Sequence, residues 1–213
     1  ALDQSVSVDR DLLPLRKNYY SWREPYETPG SVKMEQIVLQ LNEVLAEDAI
    51  VANGAGNYAA WLHRYFQYKS FKTQLAPTSG SMGYGIPAAI SAKLERPNTE
   101  VVCLAGDGCA QMSIQEFGTA VQYKANIIII ISNNGVYGTI KMHQERTYPG
   151  RTSGTNMLNP DFASLARSYG GFGETVEKTA EFLPAFERAR SAGKPAIIEL
   201  KTNPLALSPQ TPA

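Results

Sequence analysis

The sequence predicts an α/β fold: a doubly wound, mostly parallel sheet with helices on both faces. Three observations predict it. Val101-Val102-Cys103-Leu104-Ala105 and Ile127 to Ile131 are apolar at every position, as expected of strands covered on both faces. Each run ends in a polar turn, Gly106-Asp107-Gly108 after the first and Ser132-Asn133-Asn134 after the second. Asn134 follows Asp107 by 27 residues, about one strand–helix–strand unit. A right-handed parallel crossover would open both turns at the same edge of the sheet.

The other elements follow in chain order. Residues 1–30 read as an extended, linker-like lead-in, broken by Pro14, Pro25, Pro29 and Gly30 and carrying Tyr19, Tyr20, Trp22 and Tyr26. Ser31 is placed to cap a helix whose apolar positions Met34, Ile37, Val38, Leu41 and Leu45 recur at helical spacing. Ala49 to Ala52 reads as a strand, Gly54 to Asn57 as a turn, and the next segment as a helix with Trp61, Leu62 and Tyr65. Gln74 to Ala76 is a short strand. Gly80 to Gly85 is a glycine-rich turn before a small-residue helix that ends ahead of Pro97. Ser113 to Glu116 has capping-box spacing for a helix to Tyr123. Residues 135–158 read as a long irregular loop. Asn159-Pro160 reads as a cap and first-turn proline for a helix to Tyr169. Glu174 to Val176 is a strand, Thr179 opens a helix to Arg190, and Ala196 to Leu200 is the last strand. The predicted organisation is a lead-in over 1–30, one binding domain over 31–203 and a tail over 204–213.

Composition narrows the function. The 213 residues carry 20 Lys+Arg against 20 Asp+Glu, a net charge of +0. That balance argues against a nucleic-acid surface or a basic membrane patch. The longest aliphatic run is too short to span a bilayer, and the polar first ten residues do not read as a signal peptide. Cys103 and Cys109 are the only cysteines and lack metal-ligand spacing, which fits a reducing, cytoplasmic setting. The chain starts with Ala rather than Met, as expected of a piece of something longer.

Taken singly, Gly-Asp-Gly and Asn-Asn-Gly are turn signals. At strand ends one crossover apart they bring an anionic and a neutral oxygen to one crevice. That pair suits Mg²⁺, which takes few protein ligands and completes its shell with phosphate and water. The helix after Gly108 would add N–H groups and dipole for a phosphate.

Gly106-Asp107-Gly108, the 27-residue step and the Asn-Asn pair resemble the signature of thiamine diphosphate enzymes. Ser79-Gly80-Ser81-Met82-Gly83-Tyr84-Gly85-Ile86-Pro87-Ala88-Ala89 resembles acetolactate synthase and its relatives. The likeness runs from about Trp22 to Leu200 and corresponds to their carboxyl-terminal, diphosphate-binding domain. It implies the thiamine diphosphate-binding fold, with thiamine diphosphate and Mg²⁺ as cofactors. Asp107, the Asn134 side chain and the Val136 carbonyl are implied as metal ligands. Gly106, Gly108, Cys109, Asn57, Tyr58, Tyr137 and Gly138 are implied in cofactor binding. The family pattern often has Ser at the position of Cys109 and Gln-His at that of Asn57-Tyr58. Met82 matches the bulky residue wedged between the two cofactor rings. Gly80 would offer its carbonyl to the exocyclic amine, so both carry a catalytic role under this resemblance.

The family's glutamate on the pyrimidine nitrogen lies in a separate amino-terminal domain, usually of the neighbouring subunit. Glu116 and Glu145 read as a cap and a loop charge, and 213 residues leave no room for a second α/β domain beside this one. The expectation is half an active site, inactive alone, that needs a pyrimidine-binding domain or subunit. The implied parent reaction is 2-oxo acid decarboxylation with carboligation, in a homo-oligomer. Trp61 and Tyr65, or the 83–92 helix, are candidate association faces, and equally ordinary core. His143, Arg146 and Arg151 are candidates to hold a substrate carboxylate, and Tyr137, Ile140 and Met142 to wall an apolar pocket. Pyruvate decarboxylases carry a glutamate shortly after the matching Asn pair, so under this resemblance its absence from Tyr137 to Met142 argues against a simple aldehyde-releasing decarboxylase. Two other readings stay open: a separate subunit of a two-chain 2-oxo acid decarboxylase, and a non-catalytic phosphate- or nucleotide-binding module.

Overall fold

Every strand of the computed structural model, which describes residues 12–209, runs parallel to its neighbours in one six-stranded sheet. The strands are β1 (Ile50–Asn53), β2 (Gln74–Leu75), β3 (Val101–Gly106), β4 (Ile128–Asn133), β5 (Phe172–Val176) and β6 (Ala196–Lys201), in the spatial order β2-β1-β3-β4-β6-β5. The helices are α1 (Leu13–Trp22), α2 (Met34–Val44), α3 (Ala59–Tyr65), α4 (Gly85–Glu95), α5 (Asp107–Gln111), α6 (Phe117–Gln122), α7 (Gly138–Thr147), α8 (Phe162–Ser168) and α9 (Phe182–Ser191). Among the described residues no helix is long and apolar enough to cross a membrane.

The period of two along each strand sorts the apolar residues onto two faces. Val102, Leu104, Ile128, Ile130 and Ile198 pack with α2, α3 and α9, through residues such as Leu41, Leu62 and Phe186. Cys103, Ala105, Ile129, Ile131 and Ile197 pack with α4, α6 and α8, through Ile90, Phe117 and Phe162. This explains why β3 and β4 read as unbroken apolar runs: all their residues are buried. Each fully buried Leu or Phe contributes about 1.5–3 kcal/mol, so both layers hold the sheet.

The connections reverse direction at the centre. The chain leaves β1 through α3 toward β2 on one side, then returns through α4 to β3 on the other. The turns after β1 and β3 therefore diverge over opposite faces. They leave a crevice at the carboxyl ends of the strands, where open α/β sheets bind ligands.

Several local expectations are corrected. Part of the lead-in, Leu13–Trp22, is helical rather than extended. Pro14 sits in its first turn, where a missing N–H costs no intrahelical bond. Residues 1–11 of that lead-in lie outside the described residues. Lys33, not Ser31, stands at the start of α2, and the Ser31 carbonyl accepts the Thr179 N–H at 3.1 Å. The capping box at 113–116 does not form: Ser113 donates its hydroxyl to the Gly83 carbonyl at 2.8 Å, and Glu116 accepts from the Thr119 hydroxyl. Residues 135–158 are not wholly irregular, because the stretch after Gly138 has no glycine or proline and winds into α7. Asp161, not Asn159, caps α8, accepting the Ser164 N–H at 2.8 Å. Trp61 and Tyr65 are intramolecular core, at 2% and 0% exposure, so α3 offers no association face through them. After Pro204 the chain lies back on the domain: Ala206 and Leu207 are buried, and the Pro209 carbonyl accepts from Arg64.

Candidate functional site

A cleft of about 100 Å³ opens at the switch point. Three chain segments and one side chain form it: 55–58 after β1, 106–109 at the end of β3, 134–140 after β4 with Ser132, and Met82 from the turn before α4. Parallel pairing sets the middle two level, since Gly106 lies opposite Ser132 in the β3–β4 register.

Among the described residues, Asp107 is the only acidic side chain lining this cleft. It is 4% exposed. Its Oδ1 accepts the Gly108 N–H at 2.8 Å, and its Oδ2 accepts the Gly135 N–H at 2.8 Å and the Asn159 side-chain amide at 2.7 Å. No Lys, Arg or His makes an ion pair with it among the described residues. Burial pushes its carboxyl above the usual range, against the pull of those donors. Asn134 clamps the same turn from the other side, its Oδ1 accepting the Val136 N–H at 3.2 Å. Val136 is fixed further by a bridge to Asn156, and the Tyr137 N–H donates to the Thr155 carbonyl. A buried carboxylate with only neutral donors, an amide oxygen and a tightly turned backbone form a donor set of hard oxygens.

Two glycines at the end of β3 let aromatic rings close on the backbone. A Cβ on Gly106 would lie 2.7 Å from the Tyr58 ring, and one on Gly108 would lie 2.9 Å from the Tyr137 ring. Tyr58 donates its hydroxyl to the Cys109 sulfur at 3.2 Å, and the Gly83 N–H donates to the same sulfur at 3.2 Å. Burial, with the Cys109 thiol beside it, pushes the Tyr58 phenol above its usual range. One thiol thus joins the turn after β1, the turn carrying Met82 and the start of α5. Across the mouth, Asn57 accepts the Thr139 hydroxyl at 2.8 Å and donates toward the Met142 sulfur at 3.6 Å, linking the first turn to α7.

Asn57, Tyr58, Met82, Gly106, Asp107, Gly108, Cys109, Asn134, Val136, Tyr137 and Gly138 all line this one cleft. Gly80 does not. It lies exposed on the turn two residues before Met82, at φ +70°. Ile140 and Tyr137 wall the cleft, while Met142 meets Asn57 from α7. His143 and Arg146 contact each other, and Arg151 stacks over Tyr148, away from the cleft lining. Cys103 is buried in the sheet, and burial pushes its thiol up. Reading the sequence alone misses Asn133, Asn159 and Glu199. The Asn159 amide nitrogen joins Asp107 to Asn133 Oδ1 at 2.7 Å each, and Asn133 Nδ2 reaches Glu199 at 2.6 Å. A signal was present in Glu199, a charge inside an otherwise apolar strand, which demands a buried partner.

Fold and cleft together define a cofactor-binding domain of the thiamine diphosphate enzymes. Residues 54–200 match the family described as "Thiamine pyrophosphate enzyme, C-terminal TPP binding domain", and the chain belongs to that family. Its similarities are to large enzymes. It is 34% identical over 188 residues to the acetolactate synthase large subunit of Cyanidium caldarium, covering 84% of this chain and 32% of that protein. The Haemophilus influenzae acetolactate synthase large subunit is 36% identical over 77% of this chain and 29% of its own length. Among solved structures, a thiamine diphosphate-dependent 4-hydroxybenzoylformate decarboxylase of Rhodococcus jostii superposes with a TM-score of 0.77 at 32% identity, over 84% of this chain and 34% of that one. The chain thus spans about a third of the length of these relatives.

Proposed function

We propose that this domain binds thiamine diphosphate through Mg²⁺ and serves an acetolactate synthase-like enzyme that decarboxylates a 2-oxo acid and joins the fragment to an acceptor carbonyl. One observation carries the reading: a buried Asp107, without a cationic partner among the described residues, stands beside Asn134 at the switch point. The Asp107 and Asn134 side chains and the Val136 carbonyl would hold the metal. Gly106, Gly108, Cys109, Asn57, Tyr58, Tyr137 and Gly138 would surround the cofactor, with the N–H groups of the first turn of α5 toward the diphosphate. Met82 would sit against the cofactor rings, with the Gly80 carbonyl on the same turn toward the amine. Bound thiamine diphosphate supplies the ylid carbon that stabilises negative charge during decarboxylation. The chain's own work is to hold, bend and shield that group.

No carboxylate other than Asp107 lines the cleft among the described residues. Glu145 accepts the Gly150 N–H, and Glu116 accepts from Thr119. We propose that the activating glutamate comes from a pyrimidine-binding domain or subunit, and that these residues alone are catalytically silent. Docking of that partner would complete the site within an assembly of several copies.

Titration calorimetry with thiamine diphosphate tests the core of the proposal. Binding is expected with Mg²⁺ and to be lost in chelator; metal-independent binding, or preference for a nucleotide, would point to a phosphate-binding module instead. Incubation of the purified chain with pyruvate is expected to give no acetolactate above a cofactor-only blank, and product above that blank would overturn the claim of silence. Comparable identity to a decarboxylase structure keeps 2-oxo acid decarboxylation without carboligation as the second reading. Release of free aldehyde, after a pyrimidine-domain partner is added, would favour it.

A further inference from the structure

We infer that Asn159, Asn133 and Glu199 are positioning residues that make Asp107 take a divalent cation through Oδ1 alone, so that this polar relay selects Mg²⁺ over larger ions. The inference rests on the cation site proposed above.

The relay has a direction. Glu199 on β6 is fully buried, and its oxygens accept from Asn133 Nδ2 at 2.6 Å, Lys201 Nζ at 2.5 Å and the Thr175 hydroxyl at 3.2 Å. A carboxylate only accepts, so Asn133 must turn its nitrogen to Glu199 and its oxygen away. That oxygen accepts from Asn159 Nδ2 at 2.7 Å. Asn159 Nδ2 has a second proton, which goes to Asp107 Oδ2 at 2.7 Å. The remaining atom, Asn159 Oδ1, takes the Gln111 amide at 2.8 Å. Each carboxamide is thereby held in one of its two orientations by partners that cannot reverse.

Strand geometry makes the chain of contacts possible. Glu199 and Lys201 lie on the same face of β6, level with Ile131 and Asn133 of β4, and Thr175 of β5 lies opposite Glu199. That face is the one α8 covers, and Asn159 enters it two residues before the α8 cap.

At the far end, Asp107 Oδ2 carries two donors, Asn159 and the Gly135 N–H. Oδ1 carries one close donor among the described residues, the Gly108 N–H, with the Asn134 N–H a weaker neighbour of the carboxyl. A cation can then bind this carboxylate through one oxygen. Mg²⁺ demands a near-ideal octahedron, which a one-oxygen contact suits, whereas Ca²⁺ readily accepts both oxygens. Losing an outer partner of this kind lowers metal affinity by about 10–100-fold.

The test compares the unmodified 213-residue chain with Asn159→Ala by calorimetric titration of Mg²⁺ and of Ca²⁺ at saturating thiamine diphosphate, without turnover. Asn159→Ala is expected to weaken Mg²⁺ by about 10–100-fold and Ca²⁺ far less, because the freed Oδ2 becomes a second ligand. An unchanged Mg²⁺ affinity, or an equal loss for both cations, overturns the inference and leaves the site proposal standing. If the unmodified chain binds no Mg²⁺ with thiamine diphosphate, the site proposal fails and takes the inference with it. A metal-free measurement checks the relay itself: in ¹⁵N-labelled wild type the Asn133 and Asn159 side-chain amide protons are expected to exchange slowly, and solvent-rate exchange at both would overturn it.

Discussion

Asp107 and Glu199 are two buried carboxylates joined by two carboxamides, yet they are balanced in opposite ways. Glu199, between β5 and β4, has the Lys201 ammonium beside it. Asp107, at the mouth of β3, has N–H donors from Gly108, Gly135 and Asn159, with the Asn134 N–H beside them, and no ammonium or guanidinium partner among the described residues. The first is a closed arrangement that anchors; the second has no counter-charge among the described residues, as the proposed cation site requires. The comparison teaches where to look for a ligand: at the buried carboxyl to which no described residue brings a counter-charge.

The largest test of that contrast removes the open charge. Asp107→Asn is expected to weaken Mg²⁺-supported binding of thiamine diphosphate by about 100-fold or more, since a hard anionic ligand is lost. Binding within a factor of a few of wild type would erase the distinction. Glu199→Ala attacks the closed end. Lys201 is half in solvent and rehydrates, but the Asn133 amide stays buried without its acceptor. A loss of about 2 kcal/mol in urea unfolding is expected; undiminished stability would show that Glu199 anchors nothing.

The third prediction sharpens the comparison by loosening α8, the helix behind Asn159. Asp161→Ala removes its cap and should cost about 1 kcal/mol. The Ser164 donors hold the Asp161 carboxyl below its usual range. Its stabilisation is therefore present above the unfolded-state value and is lost as pH falls through the lowered native one. Wild type and Asp161→Ala should converge in stability in strong acid, and a gap that widens there would contradict this account. The smallest effect is at Tyr58→Phe. It deletes a weak hydrogen bond to the Cys109 sulfur and keeps the ring that packs on Gly106. A change of about 0.5 kcal/mol or less is expected by thermal denaturation, and a large loss would show that the Tyr58–Cys109 contact holds the cleft wall together.

How much was legible follows from the same residues. β3, β4 and the two turns after them could be read because burial on both faces writes an unbroken apolar run, and because a polar turn stands out after it. The cleft-lining positions came with those turns and with the family resemblance. Asn159 was hidden because Asn-Pro is a strong local cap signal. Its side chain is instead drawn to a carboxylate 52 positions away, a charge-assisted bond that local pattern cannot report, and Asp161 caps the helix in its place. Asn133 was hidden in its own doublet, since only strand pairing shows that it meets Glu199 and not the cleft. In α7 and α1, scattered glycine and proline overstated disorder, because Gly138 and Pro14 sit at helix starts, where neither breaks anything.

Level pairing of Gly106 with Ser132 also bears on how such a chain tolerates insertions and deletions. An extra residue in the surface connections between the two strands changes their length and little else. Within 128–134 a single added or lost codon would exchange inward for outward side chains, setting one asparagine of the doublet where its neighbour belongs. Segment length is thus elastic between strands and quantised at their ends, and recombination or loop grafting in this protein has safe joints only in the former.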